Sequence, residues 1–261
     1  MPAAEELDLH VRGHRIHAQR FGAADAPLVI GLHGATLNMH AFDLLGERLG
    51  GDDLQLVAVD LRGRGRSERT GPGTYGWDQH ALDAVAVADA LGAERCAIVG
   101  QSMGASVAMK AAELASARLD AVVLIDMAGR VDRGVGELVA SSIGRPGGAF
   151  QLIDPWDEWW DRCRAYDAEH GVDDVAIAED RAYGATQDVY GRWQHLTMPT
   201  LLVCATVELR PGVGYVVPVD DRSLFARAVP TATVVEVAGT HVSVNVHEDT
   251  ATAISRFISG A

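Results

Sequence analysis

The segment from Cys96 to Ala105 constrains the fold most, because it joins an apolar run to Gly-Gln-Ser-Met-Gly. A Gly-x-Ser-x-Gly sequence between a buried strand and a helix is typical of a nucleophile elbow, a sharp turn with serine at its tip. We expect unusual dihedral angles at Ser102, and glycine at positions 100 and 104 because side chains there would collide with neighbouring backbone. The following helix would direct its free N–H groups towards the serine hydroxyl.

Strand-like and helix-like segments alternate on both sides of this elbow. Segments 7–11 and 15–21 alternate in polarity around a glycine and predict an opening hairpin. Short apolar runs predict buried strands at 28–32, 54–59, 96–99, 121–125, 201–204 and 233–237, and helices are predicted at about 40–49, 77–91, 103–114, 220–228 and 249–258. This order predicts an α/β fold with a mostly parallel eight-stranded sheet and helices on both faces.

The alternation stops between about Met127 and Thr197. This segment contains no clear apolar strand, has a helical pattern rich in aromatic residues, and is interrupted by glycine and proline between 144 and 148. A connection of this length is rarely a plain loop. We therefore predict a helical cap inserted over 127–197, with residues 1–126 and 198–261 forming the core domain.

Composition excludes several classes of partner. The chain has 261 residues and a formal net charge of −14, which disfavours nucleic acid and anionic membranes as partners. No run of 18 apolar residues is present and the first residues are acidic, so we expect a cytoplasmic protein without a membrane span or signal peptide. The three cysteines are predicted to be free thiols, with Cys96 and Cys204 in buried strands. The sequence leaves a homodimer open.

Two glycine- or arginine-rich segments predict structure and not a cofactor site. The Gly-x-Gly-x-x-Gly match at 71–76 does not directly follow a strand and contains a proline, so we expect no dinucleotide there. Arg62, Arg64 and Arg66 predict a turn held by local salt bridges. We expect neither a cofactor nor a metal.

A serine nucleophile requires a base within hydrogen-bonding distance and a third group that orients this base. His241 follows the last predicted strand and so lies at the same sheet edge as Ser102. We favour it as the base over His247, which lies near the closing helix. For the acid, Asp126 and Glu208 each follow a strand at the correct edge. We favour Asp126, because it directly ends a buried strand.

Attack on an acyl carbonyl also requires preorganised donors for the oxyanion. The backbone N–H groups of Met103 and Ala35 are the candidates, and the ring of His33 is predicted to be a packing element. Candidate substrate-binding residues are Gly34, Met127, Trp156, Trp160 and Tyr183. The tryptophans at 156, 159 and 160 share one helical face, which is either a core face or the wall of an apolar pocket.

Together these motifs resemble the α/β-hydrolase superfamily over nearly the whole chain. The resemblance rests on His33-Gly34 after a strand, the segment 60–67, the elbow, a cap after strand six, and Gly-Thr before His241. It implies that Ser102 is the nucleophile, His241 the base, and Ala35 and Met103 the oxyanion donors. Most members carry the acid after strand seven, whereas some subfamilies carry it after strand six. The lactonases that open the macrocycle zearalenone are one such group, and this chain is similar to them in length and in the spacing of the three residues.

The residue at the elbow indicates the chemistry. Epoxide hydrolases and haloalkane dehalogenases of this superfamily use aspartate there, so serine implies acyl chemistry. We expect a serine hydrolase of an apolar ester or lactone. Two alternatives remain open at this point: a cofactor-free perhydrolase or haloperoxidase with the same three residues, and a ligand-binding receptor on a hydrolase scaffold.

Overall fold

One eight-stranded sheet forms the centre of the computed structural model, which describes residues 4–51, 53–142 and 158–260. The strands are β1 (Glu5–Val11), β2 (His14–Phe21), β3 (Leu28–Leu32), β4 (Gln55–Val59), β5 (Cys96–Gln101), β6 (Leu119–Ile125), β7 (Thr200–Ala205) and β8 (Ala232–Val237). They lie in the order β1-β2-β4-β3-β5-β6-β7-β8. Strand β2 is antiparallel to β1 and β4, and every other pair is parallel. The predicted sheet is confirmed.

Helices cover both faces of the sheet. They are α1 (Asp43–Leu49), α2 (Trp77–Ala90), α3 (Met103–Ala115), α4 (Arg133–Ser142), α5 (Glu158–His170), α6 (Asp174–Ala185), α7 (Val219–Ala228) and α8 (Glu248–Ser259). Val87 of α2 and Met109 of α3 pack on one face, whereas Leu45 of α1 and Ile254 of α8 pack on the other. Because both faces are covered, every residue of β3, β4, β5 and β7 is buried. This burial on both faces explains why the sequences of these strands are largely apolar instead of alternating in polarity.

Helices α4, α5 and α6 lie between β6 and β7 in sequence. Together with a 3-10 stretch at Tyr190–His195, they account for the regular structure that is described in this interval, and none of its described residues adds a strand to the sheet. We refer to α5 and α6 as the insertion helices. None of the described helices has the length and apolar content needed to cross a lipid bilayer.

The parallel strands bring the chemically interesting residues to one edge. Strands β3, β5, β6, β7 and β8 run in the same direction, so their carboxyl ends lie side by side. Gly34, Ser102 and Asp126 follow β3, β5 and β6 within two residues, and His241 follows β8. Ligands of α/β sheets bind at this edge.

Candidate active site

Ser102 occupies the tip of a strand–turn–helix and has an unusual backbone conformation, with a positive φ of 56° and a ψ of −119°. The turn is tight on both sides of the serine. A Cβ at Gly100 would lie 2.2 Å from the carbonyl oxygen of Gly104, and a Cβ at Gly104 would lie 1.9 Å from that of Leu32. Backbone atoms cannot move aside as a flexible side chain can, so glycine is required at both positions, as the sequence predicted.

Asp126, His241 and Ser102 form a continuous hydrogen-bonded chain. The Nδ1 of His241 lies 2.9 Å from the Oδ2 of Asp126, and its Nε2 lies 3.0 Å from the Oγ of Ser102. The other carboxylate oxygen of Asp126 accepts the N–H of Ala205 at 2.9 Å. An ionised carboxylate only accepts, so Nδ1 carries the hydrogen and Nε2 of the neutral ring is free to accept the serine O–H. This is the arrangement that activates a hydroxyl.

The backbone is strained at two of these residues. Among the described residues other than glycine, positive φ angles occur at Arg12, Ser102 and Asp126. Ser102 and Asp126 follow the neighbouring strands β5 and β6, and the N–H of Ser102 donates to the last carbonyl of β6, that of Ile125, at 3.1 Å. Left-handed dihedral angles at side-chain-bearing residues carry a cost and concentrate at functional sites.

A short hydrogen-bonded turn holds His241 in place after β8. The N–H of Thr240 donates to the Oγ of Ser243 at 2.9 Å, and the N–H of Val244 donates to the carbonyl of Thr240 at 2.9 Å. One residue further, the side chain of Asn245 donates to the carbonyl of Ala41 at 2.6 Å. The imidazole is therefore presented by a rigid turn that is attached to the segment after β3.

The two alternative residues from the sequence are engaged elsewhere. Glu208 accepts the N–H of Gly212 at 2.7 Å and closes its own loop. His247 accepts the N–H of Asp249 at 3.2 Å and caps the start of α8. The structure thus brings Asp126, and neither Glu208 nor His247, to the site.

Gly34 packs directly against the elbow. A Cβ at this position would lie 2.6 Å from the Oε1 of Gln101 and 3.3 Å from the Cβ of Ser102. Gly34 belongs to residues 33–38, which we call the β3 loop. The candidate oxyanion donor Ala35 follows Gly34, and the other candidate, Met103, begins α3, where an N–H has no acceptor within the helix.

The buried ring of His33 orients the β3 loop. Its Nε2 accepts the N–H of Leu61 at 3.1 Å, so Nδ1 carries the hydrogen and donates to the carbonyl of Gly34 at 2.7 Å. Burial lowers the pKa of His33 to about 3, so the ring is neutral at physiological pH. In a planar peptide, the Gly34 carbonyl and the Ala35 N–H point in opposite directions. The imidazole therefore sets the direction of that N–H.

The remaining candidate binding residues are placed as follows. Met127 is partly buried and contacts the hydrophobic clusters on both sides of the sheet. Tyr183 of α6 packs against Trp77, with ring centroids 6.1 Å apart, and none of its described contacts is with Ser102 or His241. Trp156 lies outside the described residues, and so does the side chain of Trp160. These roles stay predictions.

The expectation of local salt bridges in the arginine-rich turn is wrong. The partners are distant in sequence: Arg62 binds Asp83 through two contacts of 2.6 Å, Arg64 binds Asp180 at 2.8 Å, and Arg66 binds Glu6 at 2.6 Å. The intervening glycines at 63 and 65 have positive φ angles and direct the three side chains to different elements. Asp180 is buried and contacts Arg64, which in turn contacts the carbonyl of Ala35, and no local pattern in the sequence indicates this role.

A serine at a strained strand-to-helix turn of a mostly parallel sheet, with histidine and carboxylate from later strand ends, defines the α/β-hydrolase class. The chain belongs to the alpha/beta hydrolase family, whose model matches residues 29–255.

Known relatives act in different ways. The chain is similar to epoxide hydrolase B of Mycobacterium tuberculosis (37% identity over 152 residues, 57% of this chain and 40% of that protein). It is also similar to N-formylmaleamate deformylase of Pseudomonas putida (34% identity over 119 residues, 46% of this chain and 44% of that protein). Each match thus spans less than half of the relative. An alpha/beta hydrolase from Novosphingobium aromaticivorans superimposes over the full length of both chains with a TM-score of 0.79 at 24% identity, which shows the shared fold.

Proposed function

We propose that this protein is a serine hydrolase that cleaves a carboxylic ester or lactone of an apolar small molecule. The observation that supports this proposal is the unbroken chain from Ser102 Oγ through the His241 ring to Asp126, with distances of 3.0 and 2.9 Å. These distances lie within the range for a nucleophile, its base and the group that orients the base.

In the first half-reaction, the Oγ of Ser102 attacks the acyl carbon while the Nε2 of His241 takes the hydroxyl proton. The carbonyl oxygen becomes an oxyanion, which accepts hydrogen bonds from the N–H groups of Ala35 and Met103. Asp126 stabilises the imidazolium through its contact with Nδ1. The tetrahedral intermediate then breaks its bond to the leaving oxygen, which receives the proton from His241.

In the second half-reaction, water attacks the acyl carbon of the ester on Ser102. His241 takes a proton from this water and then returns it to the Oγ of Ser102 as the acyl bond to the serine breaks. The products are a carboxylic acid and an alcohol, joined in one molecule if the substrate is a lactone. The reaction consumes one water and regenerates the free hydroxyl.

The identity of the nucleophile separates this proposal from the epoxide hydrolase among the relatives. A serine at position 102 leads to an acyl ester on oxygen, whereas the epoxide hydrolases that this superfamily contains use aspartate at the elbow. Met127 follows Asp126 and packs against two hydrophobic clusters, so an apolar side chain adjoins the proposed acid, in keeping with an apolar substrate. The charge of −14 also disfavours anionic substrates in general.

The proposal is tested by the turnover of p-nitrophenyl esters of increasing acyl length by Ser102→Ala and Ser106→Ala. We expect Ser102→Ala to lose on the order of 10³-fold or more in kcat/KM. Ser106 is buried on α3, about one turn beyond the nucleophile, and is the matched control. Its variant should retain most of the activity. Unchanged turnover by Ser102→Ala would refute the proposal.

A further inference from the structure

We propose that Arg64 is a positioning residue that couples the seating of insertion helix α6 to the oxyanion donor at Ala35. This inference rests on the proposed function, because it assigns Arg64 a part in building the oxyanion site. It concerns a side chain that does not belong to the Ser102–His241–Asp126 chain.

The guanidinium of Arg64 contacts two separate elements at once. Its Nε donates to the carbonyl of Ala35 at 3.0 Å, and its Nη2 donates to the Oδ2 of Asp180 on α6 at 2.8 Å. Arg64 is fully buried, and Asp180 is 2% exposed. A charged contact that is withdrawn from water is strong and geometrically demanding. The β3 loop and α6 are therefore linked through one rigid planar group.

Asp180 is held from three directions, so it can act as a fixed point. Its Oδ1 accepts from the Nε2 of His80 at 2.9 Å and from the N–H of Gly76 at 2.9 Å, while Oδ2 accepts from Arg64. His80 lies in the first turn of α2, and Gly76 directly precedes this helix. The Asp180 carboxylate on α6 is thereby fixed to the start of α2.

The backbone of the arginine-rich turn is attached to the same insertion. The N–H of Asp173 donates to the carbonyl of Gly63 at 3.1 Å, and Arg64 forms a β-bridge with Val172. Both partners directly precede α6. When α6 is seated, the backbone and the side chain of Arg64 are thus fixed together.

The other end of the β3 loop is attached to the other insertion helix. The side-chain amide of Asn38 donates to the carbonyl of Cys163 at 2.9 Å and to Asp167 at 2.8 Å, and both of these residues lie on α5. The loop that carries Gly34 and Ala35 is therefore held by α5 directly, through Asn38, and by α6 indirectly, through Arg64. The oxyanion site is complete when α5 and α6 make these contacts. Movement of α6 away from Arg64 would release the Arg64 side chain, whose Nε donates to the carbonyl of Ala35.

Arg64→Lys can keep the contact with Asp180 while losing the contact with the Ala35 carbonyl. A lysine ammonium can pair with Asp180, but a single terminal nitrogen does not reproduce the spaced Nε and Nη2 donors of a guanidinium. Asp180→Asn keeps an acceptor and the shape of the side chain and removes its charge. The matched control is Arg62→Lys, because Arg62 also forms a buried ion pair, with Asp83, and its other described hydrogen bond is to the carbonyl of Thr74, which lies outside the β3 loop.

The test compares wild type with these variants in two assays: the kcat and KM for p-nitrophenyl butyrate, and the rate constant for inactivation by a fluorophosphonate. We expect Arg64→Lys and Asp180→Asn to lose on the order of tenfold or more in kcat and in inactivation rate, with KM changed by less than about twofold. Arg62→Lys should lose thermal stability and keep its kcat. If Arg64→Lys does not fold, the kcat and inactivation rate of Asp180→Asn decide the inference by themselves.

Coupling between the two residues is tested with the double variant. Arg64→Lys combined with Asp180→Asn should lose no more kcat than the more damaging single variant, because both act through one link. Losses that multiply, or single variants that keep the wild-type kcat and inactivation rate, would overturn the inference alone. A wild-type protein that neither turns over the ester nor reacts with the fluorophosphonate would overturn the proposed function and this inference together.

Discussion

Asp126 lies 2.9 Å from the Nδ1 of His241, although the two residues are 115 positions apart in the chain. The carboxylate reaches the ring from the end of β6, while the histidine arrives from the turn after β8. Asp126 is 1% exposed, and its second oxygen is occupied by the N–H of Ala205. The backbone N–H of Ala205 thus fixes the direction of the Asp126 carboxylate, which we propose as the acid.

The position of the acid leads to a comparison of two carboxylates. Asp126→Asn preserves the shape of the side chain but removes the charge that stabilises the imidazolium, so kcat should fall by on the order of 10²-fold or more. Glu208→Gln should change kcat by less than about twofold, because the hydrogen bond that the described residues give Glu208 comes from Gly212 in its own loop. Steady-state kinetics on one ester decide the matter. Greater damage from Glu208→Gln than from Asp126→Asn would contradict the assignment.

Glycine is required at position 34 because the elbow leaves little room for a side chain, and not because the backbone has a positive φ there. The Cβ of Gly34→Ala would lie 2.6 Å from the flexible end of Gln101 and 3.3 Å from the Cβ of Ser102. We expect a folded protein in which kcat falls by on the order of tenfold or more, because the oxyanion donor moves. Gly51→Ala has nothing within 4 Å of its Cβ and is the control that should match wild type.

The same geometry predicts the opposite result at Gly104. Its Cβ would lie 1.9 Å from the backbone oxygen of Leu32, which belongs to a fully buried strand. Gly104→Ala should therefore lose the fold together with the activity, as measured by circular dichroism and urea denaturation. If Gly34→Ala and Gly104→Ala lose stability equally, the separation of catalytic from structural glycine is wrong.

The elbow could be predicted from sequence because its cause is local. Positions 100 and 104 have no room for a side chain, and the sequence shows this directly as two glycines around Ser102. The apolar residues before the turn indicate a strand, and the small residues after it indicate a helix. His241 could be found because parallel strands end at one edge. The choice between Asp126 and Glu208 needed the structure, since both follow strands and only the path of each loop separates them.

Contacts between the insertion helices and the core had no sequence signal. Arg64 and Asp180 are 116 positions apart, and the arginine-rich turn alone predicts neither the partner nor its burial. The helix predicted over 40–49 also differs from the structure, because it begins as a 3-10 turn at Met39–Phe42. The Asn38 side chain caps this turn by accepting the N–H of His40. Tertiary packing selects the partner of Arg64, whereas a local cap by Asn38 accompanies the 3-10 start, and the apolar pattern of the sequence shows neither.

Asp167 makes stability depend on pH. Burial raises its pKa to about 6, above the ordinary value of 3.8, so the fold resists ionisation of this carboxyl. Its effect on stability is therefore absent below about pH 4, grows between about pH 4 and pH 6, and is fully unfavourable above about pH 6. Asp167→Asn retains an acceptor for Asn38 and should raise the free energy of unfolding at pH 8 by on the order of 1 kcal/mol.

The gain from Asp167→Asn should stay constant between about pH 8 and pH 6 and shrink as the pH falls from about 6 to about 4, as measured by urea denaturation at several pH values. Glu169→Gln, an exposed change on the same helix, is the matched control for α5. A gain that is independent of pH, or a loss at pH 8, would show that the carboxylate of Asp167 is needed by the fold.

The three cysteines should be unreactive in the folded protein. Burial raises the pKa of Cys96 and of Cys204 to about 12 and also raises that of Cys163, and all three are free thiols. Alkylation requires the thiolate and access to it. At pH 8, iodoacetamide should leave the activity intact and modify three thiols only after unfolding in urea. Loss of activity together with modification of one thiol in the native protein would contradict this expectation.

Covalent bonding of the Ser102 hydroxyl to the acyl group is the step on which the proposed reaction depends. The nucleophilicity of this hydroxyl is measured by the mass of the protein after reaction with a fluorophosphonate, from which the serine oxygen displaces fluoride. We expect one adduct per chain, located by peptide mapping at Ser102 and formed far more slowly in His241→Ala. An adduct at another residue, or ester turnover without any adduct at Ser102, would show that Ser102 is not the nucleophile.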